Sequence, residues 1–246
     1  MRNRWFVIAD YLERHGHRYR RVLMSDTKDA VLQADPFAFA AADRDLGVDV
    51  DVDRDRDVDV DTDVDVDTDT DVDGGMGGAV VFSGEGGGQV LRLRDSKKGM
   101  PRTLRCARGA SAAARRALGA TEPLNAGVTA GGARAFANFS RALARLVAHV
   151  TTTECLDAKD CTDQGLYNLL VYHYWDEYLP HTRKVVLPME RGLSYTLGHK
   201  QSCCRLDADG RVLNDRGRAH AIVHQYNKGA AGRALKHTRF FRRYLS

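Results

Sequence analysis

The chain has 246 residues, 43% of them hydrophobic, which is enough for one large domain or two small ones with a packed core. Its apolar runs are too short for a membrane-spanning helix, and its first residues lack the apolar stretch of a secretory signal. Five cysteines are too few for a disulfide-dense scaffold. We therefore expect a single domain over residues 1–246.

An acidic repeat hides the charge of the rest of the chain. From residue 49 to residue 73 every odd position is Asp, between Val, Thr and Arg. The run holds 13 of the 33 acidic residues but 2 of the 37 basic ones, so the other 221 residues carry 15 more basic than acidic side chains. Paired strands of this sequence would stack like charges, and we expect a disordered low-complexity insertion; a calcium-binding tract is the alternative. The basic remainder favours polyanions or phosphorylated ligands.

Hydrophobic periodicity predicts the elements of the first half of the chain. Apolar residues at helical spacing predict a helix over Arg4–His15, and Gly16 ends it. Short apolar runs at residues 22–24 and 79–82 predict strands. An Ala-rich stretch at residues 112–118 predicts a short helix.

The second half alternates helical and strand patterns. A helix over residues 133–150 has one apolar face, and another helix begins at Thr162 or Asp163. The buried stripe of that second helix is predicted to consist of Leu166, Leu169, Leu170 and His173. Apolar runs at residues 185–187 and 221–223 predict buried strands, with a tight turn at Asp209-Gly210 between short strands. Such alternation predicts an α/β domain with a largely parallel sheet.

The first polar cluster, Asp26-Thr27-Lys28-Asp29, directly follows the predicted strand at residues 22–24. In open α/β sheets, ligands bind beyond the carboxyl ends of strands. Two carboxylates and a lysine suit a divalent metal that carries a diphosphate, because the metal needs oxygen ligands and the phosphate needs positive charge. The alternative is a polar strand-to-helix turn.

Three further polar clusters lie at the ends of predicted elements. Asn125-Ala126-Gly127 precedes an expected turn at Gly131-Gly132, and its amide can bind a sugar hydroxyl. Asp163-Gln164, with Asn168, begins a helix, and His224 follows a strand, where a neutral imidazole is a good metal ligand. The alternatives are a plain turn, helix capping and a structural histidine, respectively.

The order of these clusters resembles the glycosyltransferases of the GT-A fold, which use nucleotide-sugar donors. Residues 22–37, VLMSDTKDAVLQADPF, are similar to a D-x-R-D…Q-x-D-P-F pattern of eukaryotic members. Residues 125–128 resemble their N-[SA]-G-V segment, residues 163–168 their D-Q-x-x-x-N helix start, and residues 222–226 their terminal strand. Glycogenin-like enzymes share this order. The resemblance implies a Rossmann-like, mixed but mostly parallel sheet flanked by helices.

The resemblance also implies the roles of individual residues. Asp26, Asp29 and His224 would hold Mn²⁺ or Mg²⁺, and Glu85 or Asp163 would be the catalytic carboxylate. The donor, a nucleotide-diphosphate sugar, would contact Arg4, Asp26, Lys28, Asn125, Gly127, Gln164 and Lys228, with Lys200 as a further phosphate partner. Because the metal stabilises the departing nucleoside diphosphate, the implied reaction is metal-dependent sugar transfer to a glycan, protein or small-molecule acceptor.

The resemblance further implies work in the Golgi or another secretory lumen, where a Cys155–Cys161 disulfide is conceivable beside free thiols. A first nucleotide-binding strand normally precedes the helix that here begins at Arg4, so the chain is expected to be N-terminally shortened. Two alternatives to an active enzyme are open. One is an inactive glycosyltransferase remnant, and the other is a basic module that binds nucleic acid, although no recognised nucleic-acid motif is present.

Overall fold

A computed structural model describes residues 4–41, 78–85, 103, 111–153, 163–198 and 204–245. The acidic repeat at residues 49–73 lies outside these residues, as do Cys155, Cys161 and Lys200. Cys204 is disulfide-bonded. In the part of the chain that is described, no helix has the length and apolar character needed to cross a membrane.

The helices and strands alternate along the chain. The helices are α1 (Arg4–His15), α2 (Pro36–Ala41), α3 (Ala112–Gly119), α4 (Ala133–Thr153), α5 (Asp163–Tyr172), α6 (Trp175–Tyr178), α7 (Gly229–Leu235) and α8 (Arg239–Leu245). The strands are β1 (Arg21–Ser25), β2 (Ala30–Leu32), β3 (Ala79–Gly84), β4 (Leu124–Gly132), β5 (Arg183–Leu187), β6 (Ser194–Thr196), β7 (Arg205–Leu206), β8 (Val212–Leu213) and β9 (Ile222–His224). The chain is thus a mixed α/β protein.

The strands form three sheets. A four-stranded sheet has the order β1-β4-β3-β5, a three-stranded sheet the order β2-β9-β6, and β7 pairs with β8. Only the β3–β5 and β6–β9 pairs are parallel among the described strands, and the pairs β1–β4, β3–β4, β2–β9 and β7–β8 are antiparallel. The sheets are therefore mixed, and the expected predominance of parallel pairing is not shown.

Three apolar clusters define the layers. Alternate residues of β3 face opposite sides, so Phe82 packs with α1, α4 and α5 while Val81 packs towards the three-stranded sheet with Ile222. Val223, next to Ile222, faces the third cluster with Phe241 of α8. The two larger sheets therefore face each other across the second cluster, and helices cover their outer sides.

Most predicted elements are present with small shifts of their ends. The helix at Arg4–His15 has the predicted bounds, and Ser111 caps α3 by accepting the Ala114 N–H at 3.1 Å. Two predictions are wrong. His173 follows α5 and is exposed rather than part of the buried stripe, and Gly131-Gly132 lies inside β4 rather than in a turn. A Cβ on Gly131 would lie 2.7 Å from Ala79 O, so glycine there permits close strand pairing.

Candidate active site

Antiparallel pairing in the four-stranded sheet brings three predicted site residues to one edge. β1 and β3 both run opposite to β4, so the residues that follow them lie beside the start of β4. The Asp26 N–H donates to Gly127 O at 2.8 Å, and the Glu85 N–H donates to Pro123 O at 2.7 Å. Asp26, Glu85 and Asn125 therefore lie at the same edge, although Asn125 belongs to a strand and not to a turn.

The three-stranded sheet adds the other two members of the predicted metal group. Asp29 directly precedes β2 and His224 ends β9, and the antiparallel register pairs Ala30 with His224. The short segment between β1 and β2 crosses from one sheet to the other. Asp26 thus follows a strand of the four-stranded sheet, Asp29 precedes a strand of the three-stranded sheet, and both lie close to His224.

Asp26, Asp29 and His224 form a group whose ligand atoms all lie within 4.8 Å of one another. His224 Nε2 lies 3.4 Å from Asp26 Oδ2 and 3.5 Å from Asp29 Oδ1. This buried nitrogen has no hydrogen-bond partner among the described residues. Two carboxylates and an imidazole are donors that suit Mn²⁺ or Mg²⁺, so the residues present fit such an ion.

Gly127 keeps the space between these groups open. A Cβ at this position would lie 2.6 Å from Asp26 Oδ2 and 2.8 Å from His224 Nε2. Any larger residue would therefore push side chains of the metal group out of place. Gly127 is therefore needed for Asp26 and His224 to lie close together, whereas the resemblance implied that it contacts the donor.

Two cations partly neutralise the carboxylates of the group. Arg4 Nη1 lies 3.0 Å from Asp26 Oδ1, and Lys228 Nζ lies 3.0 Å from Asp29 Oδ2. The contact with His224, and then Arg4, hold the pKa of Asp26 below its usual value, although burial opposes this. Asp26 is consequently ionised and available as an oxygen ligand near neutral pH.

Arg4 also holds Asp163 against the start of β4. Its Nη2 lies 2.9 Å from Asp163 Oδ2 and donates to Ala126 O at 2.8 Å. One guanidinium therefore joins the carboxylate at the start of α5 to the carboxylate that follows β1. In the described contacts Arg4 positions site residues, whereas the resemblance to GT-A glycosyltransferases implied a direct contact with the donor.

Gln164 and Glu85 form the wall of the site opposite the histidine-bearing sheet. Gln164 Nε2 donates to Glu85 Oε2 at 2.6 Å and to Leu124 O at 3.1 Å. Surrounding protein raises the pKa of Glu85 to about 7, against the weaker lowering effects of Gln164 and of the nearby His224 and Lys228. Glu85 can therefore exchange a proton near neutral pH, which is the property of a general acid or base.

A cleft of about 440 Å³ connects these groups. Every residue predicted for the site from the described part of the chain lines it: Arg4, Asp26, Lys28, Asp29, Glu85, Asn125, Gly127, Asp163, Gln164, His224 and Lys228. Lys28 is exposed at its rim. The cleft thus contains four carboxylates and an imidazole beside three cations, which suits a ligand that brings both phosphate and metal.

Sequence patterns missed the residues that support the metal group from behind. Asn125 Nδ2 donates to Thr196 Oγ1 at 2.8 Å and reaches Ser194 Oγ at 3.4 Å. Both hydroxyls belong to β6, which was not predicted. In Leu193–Leu197, polar and apolar residues alternate, and that period of two is the signal that could have identified this strand.

Comparison with protein-family models, with curated proteins and with solved structures finds no match to this chain.

Proposed function

We propose that this chain is a metal-dependent glycosyltransferase of the GT-A type, which moves a sugar from a nucleotide-diphosphate donor to an acceptor. The observation that carries the proposal is the convergence of Asp26, Asp29 and His224, from three separate segments, within 4.8 Å at a cleft. Residues from the other expected motifs, among them Asn125 and Asp163, line the same cleft. Exposed acidic clusters are common, but a buried imidazole Nε2 that lies between two carboxylates, with no hydrogen-bond partner among the described residues, is not explained by solvation.

In this proposal, the metal group and the cations share the diphosphate. Asp26, Asp29 and His224 would hold Mn²⁺ or Mg²⁺, which when bound acts as a Lewis acid on the leaving diphosphate. Lys228, now 3.0 Å from Asp29 Oδ2, is 41% exposed and can turn towards a phosphate. Lys28 at the rim adds a second positive charge. The positive charges of Lys28 and Lys228 attract the negatively charged diphosphate more strongly than a neutral acceptor.

The opposite wall of the cleft would hold the sugars. The amide oxygen of Gln164 and the carboxylate of Asp163 can accept hydrogen bonds from hydroxyl groups, since Gln164 Nε2 already donates to Glu85 Oε2 and Leu124 O. Asp163 is fixed by Arg4, so it enters as an oriented hydrogen-bond acceptor. Glu85, with a pKa of about 7, is suited to take the proton of an acceptor hydroxyl. Asp163 and Glu85 remain the two candidates for that carboxylate.

The compartment belongs to the proposal as well. A secretory lumen such as the Golgi supplies nucleotide sugars and oxidising conditions. The disulfide of Cys204 is compatible with such a compartment, because cytosolic disulfides are rare.

Calorimetric titration of UDP into the chain, with and without Mn²⁺, tests the proposal. We expect binding that requires Mn²⁺, and we expect Asp29→Asn to weaken it by more than about 100-fold because a direct ligand is lost. Asp10→Asn is the matched control, since Asp10 is exposed on α1 and pairs with Arg14. Equal affinity of the two variants would contradict the metal site.

Other outcomes separate the alternatives. Metal-dependent UDP binding without sugar transfer from any nucleotide-sugar donor would identify an inactive remnant. Salt-sensitive binding of oligonucleotides, with no effect of Mn²⁺ or UDP, would favour the basic nucleic-acid module.

A further inference from the structure

We infer that Asn125 selects the tautomer of His224 and thereby weakens metal binding at this histidine. Asn125 is fully buried in β4, and its Nδ2 lies 2.9 Å from His224 Nδ1. The side chains join the two sheets behind the metal group. Asn125 does not belong to that group itself, so its role is that of a positioning residue. The inference concerning metal affinity rests on the proposed function, whereas the tautomer follows from protein contacts alone.

The orientation of the Asn125 amide follows from one backbone contact. The Gly127 N–H donates to Asn125 Oδ1 at 2.8 Å. A backbone N–H can only donate, so the oxygen must face Gly127 and the NH₂ group must face the other way. If the amide were flipped, its NH₂ group would oppose the N–H of Gly127. Two donors in a buried place would lose a hydrogen bond and repel each other.

The other partners of Asn125 agree with this orientation. The hydroxyl of Thr196, 2.8 Å from Nδ2, can accept one amide hydrogen. The second amide hydrogen is then directed at His224 Nδ1. That nitrogen must accept it with its lone pair, so it carries no proton in the neutral imidazole. The single ring proton of neutral His224 is therefore on Nε2.

The proton on Nε2 is placed between the two carboxylates. Nε2 lies 3.4 Å from Asp26 Oδ2 and 3.5 Å from Asp29 Oδ1, so its N–H is close to both carboxylates although neither contact has hydrogen-bond geometry. It reduces the repulsion of the two negative groups in the metal-free protein. In this tautomer a proton occupies Nε2, so the nitrogen has no free lone pair for a metal ion.

Metal ligation requires the opposite tautomer. A metal ion binds the lone pair of Nε2, so the proton of Nε2 must leave and a proton must be bound at Nδ1, with no net change in the charge of the ring. A protonated Nδ1 needs an acceptor, which histidine ligands usually find in a carboxylate or carbonyl oxygen. Asn125 presents its NH₂ group instead. Its amide must rotate and give up the Gly127 contact before His224 can ligate, and this lowers the affinity for metal.

Asn125→Asp provides a test that should improve binding. A carboxylate can still accept the Gly127 N–H with one oxygen, and with the other it can accept a proton from Nδ1. The variant should therefore favour the Nδ1–H tautomer and leave the Nε2 lone pair free for a metal. We expect its affinity for Mn²⁺ to rise about tenfold, the usual scale of effects from partners of ligating histidines. If Asn125 only supported the structure, the substitution should lower the affinity for Mn²⁺ instead.

The experiment uses histidine labelled with ¹⁵N in the full chain, with metal removed, at about pH 8 where histidine is neutral. Correlations between ring nitrogens and carbon-bound protons report the tautomer, and His224→Gln identifies the signal among nine histidines. Calorimetry with Mn²⁺ gives the affinity of the same proteins. Asn214→Asp is the control for an added buried charge, because Asn214 is 3% exposed, accepts the N–H groups of Arg216 and Arg218, and does not line the cleft.

The expected result is Nε2–H in the wild type, Nδ1–H in Asn125→Asp, and tighter Mn²⁺ binding by that variant alone. A wild-type His224 with its proton on Nδ1 would overturn the inference, and this spectrum needs no variant to fold. A switched tautomer with unchanged or weaker Mn²⁺ binding would also overturn it. If the tautomers are as expected and neither protein binds Mn²⁺, the proposed function fails and the metal part of the inference fails with it, while the tautomer assignment is retained.

Discussion

Two neighbouring regions of this molecule are built from the same elements and meet opposite physical demands. On one face of the four-stranded sheet, Phe139 lies between aromatic rings, with its centroid 5.6 Å from Trp5 and 5.5 Å from Tyr167. At the edge of that sheet, the cleft holds like charges together. Arg4 is adjacent to Trp5 in α1, and Gln164 lies one turn before Tyr167 in α5. Each of these helices thus serves both regions.

The aromatic cluster and the cleft show that folding stability and ligand binding depend on different residues of the same helices. Aromatic burial is favourable and largely independent of direction, so the cluster around Phe139 contributes to the free energy of folding. Two carboxylates within 4.8 Å of each other, and a buried imidazole nitrogen beside them that has no hydrogen-bond partner among the described residues, are unfavourable without a ligand. The packed cluster offsets this cost and holds α1 and α5 in place. Substitutions in one region should therefore change stability, and those in the other should change binding.

Phe139→Ala should have the largest effect on stability. Phe139 is fully buried and contacts the rings of Phe82, Phe136 and Trp175 as well as those above. Loss of the ring should lower the free energy of unfolding by about 3–5 kcal/mol. Urea denaturation measures this, with Phe6→Ala as the control, since Phe6 is 42% exposed and should change stability by less than about 0.5 kcal/mol. Equal losses of stability in the two variants would contradict the claim that the aromatic cluster around Phe139 stabilises the fold.

Glu85→Gln should raise stability in a way that depends on pH. The pKa of Glu85 is raised from 4.5 to about 7, so the folded state holds this proton more tightly than the unfolded state. The wild type therefore loses stability between about pH 4.5 and pH 7, and above that range it carries the full cost of the buried charge. The variant should match the wild type near pH 4.5 and exceed it by at most about 3 kcal/mol near pH 8.

Urea denaturation of both proteins across this pH range, with metal removed, measures the difference. A difference that does not change with pH would show that Glu85 titrates as an ordinary carboxyl group. The control is Glu177→Gln, because Glu177 is exposed on α6.

Gly131→Ala and Gly127→Ala compare the two regions within one strand. A Cβ on Gly131 meets the backbone of β3, at Ala79 O and Val80 Cα, and should cost about 1–3 kcal/mol of stability. A Cβ on Gly127 meets side-chain atoms of Asp26 and His224, which can move. That variant should keep most of its stability and lose Mn²⁺ binding. Thermal unfolding and calorimetry on both proteins provide the test, and a reversed ranking would contradict it.

Removal of residues 49–73 should have the smallest effect. The sequence of this repeat predicts a disordered insertion, and such an insertion should contribute little to folding because the entropy of closing a loop changes slowly with its length. The melting temperature and the affinity for Mn²⁺ should both stay close to those of the full chain. Differential scanning calorimetry measures the first, and a fall of more than about 4 °C would mean that the repeat contributes about 1 kcal/mol or more to the fold.

The sequence was sufficient for most helices and strands and for the composition of the candidate site. Helix α1 has the predicted bounds, because its apolar residues repeat at the helical period over three turns. Polar clusters at the ends of predicted elements stand out against apolar runs, but they were joined into one site, with Arg4, Glu85 and Lys228, by the resemblance to GT-A glycosyltransferases. The three residues of β2 give too little periodicity to be recognised, whereas β6 can be recognised only if the alternation is followed into the residues on either side of it.

Strand direction and side-chain pairing were decided by the tertiary structure. Periodicity is a local property, and it is the same for a parallel and an antiparallel strand, so a largely parallel sheet was expected where four of the described pairs are antiparallel. The bridge from Arg4 to Asp163 joins residues 159 positions apart, and the contact of Asn125 with His224 joins residues 99 positions apart. No local pattern encodes such distances along the chain. The first contact follows from the packing of α1 and α5 against the same side of the four-stranded sheet, and the second from the closing of the two sheets on each other. The tautomer that we infer for His224 therefore depends on the folded chain.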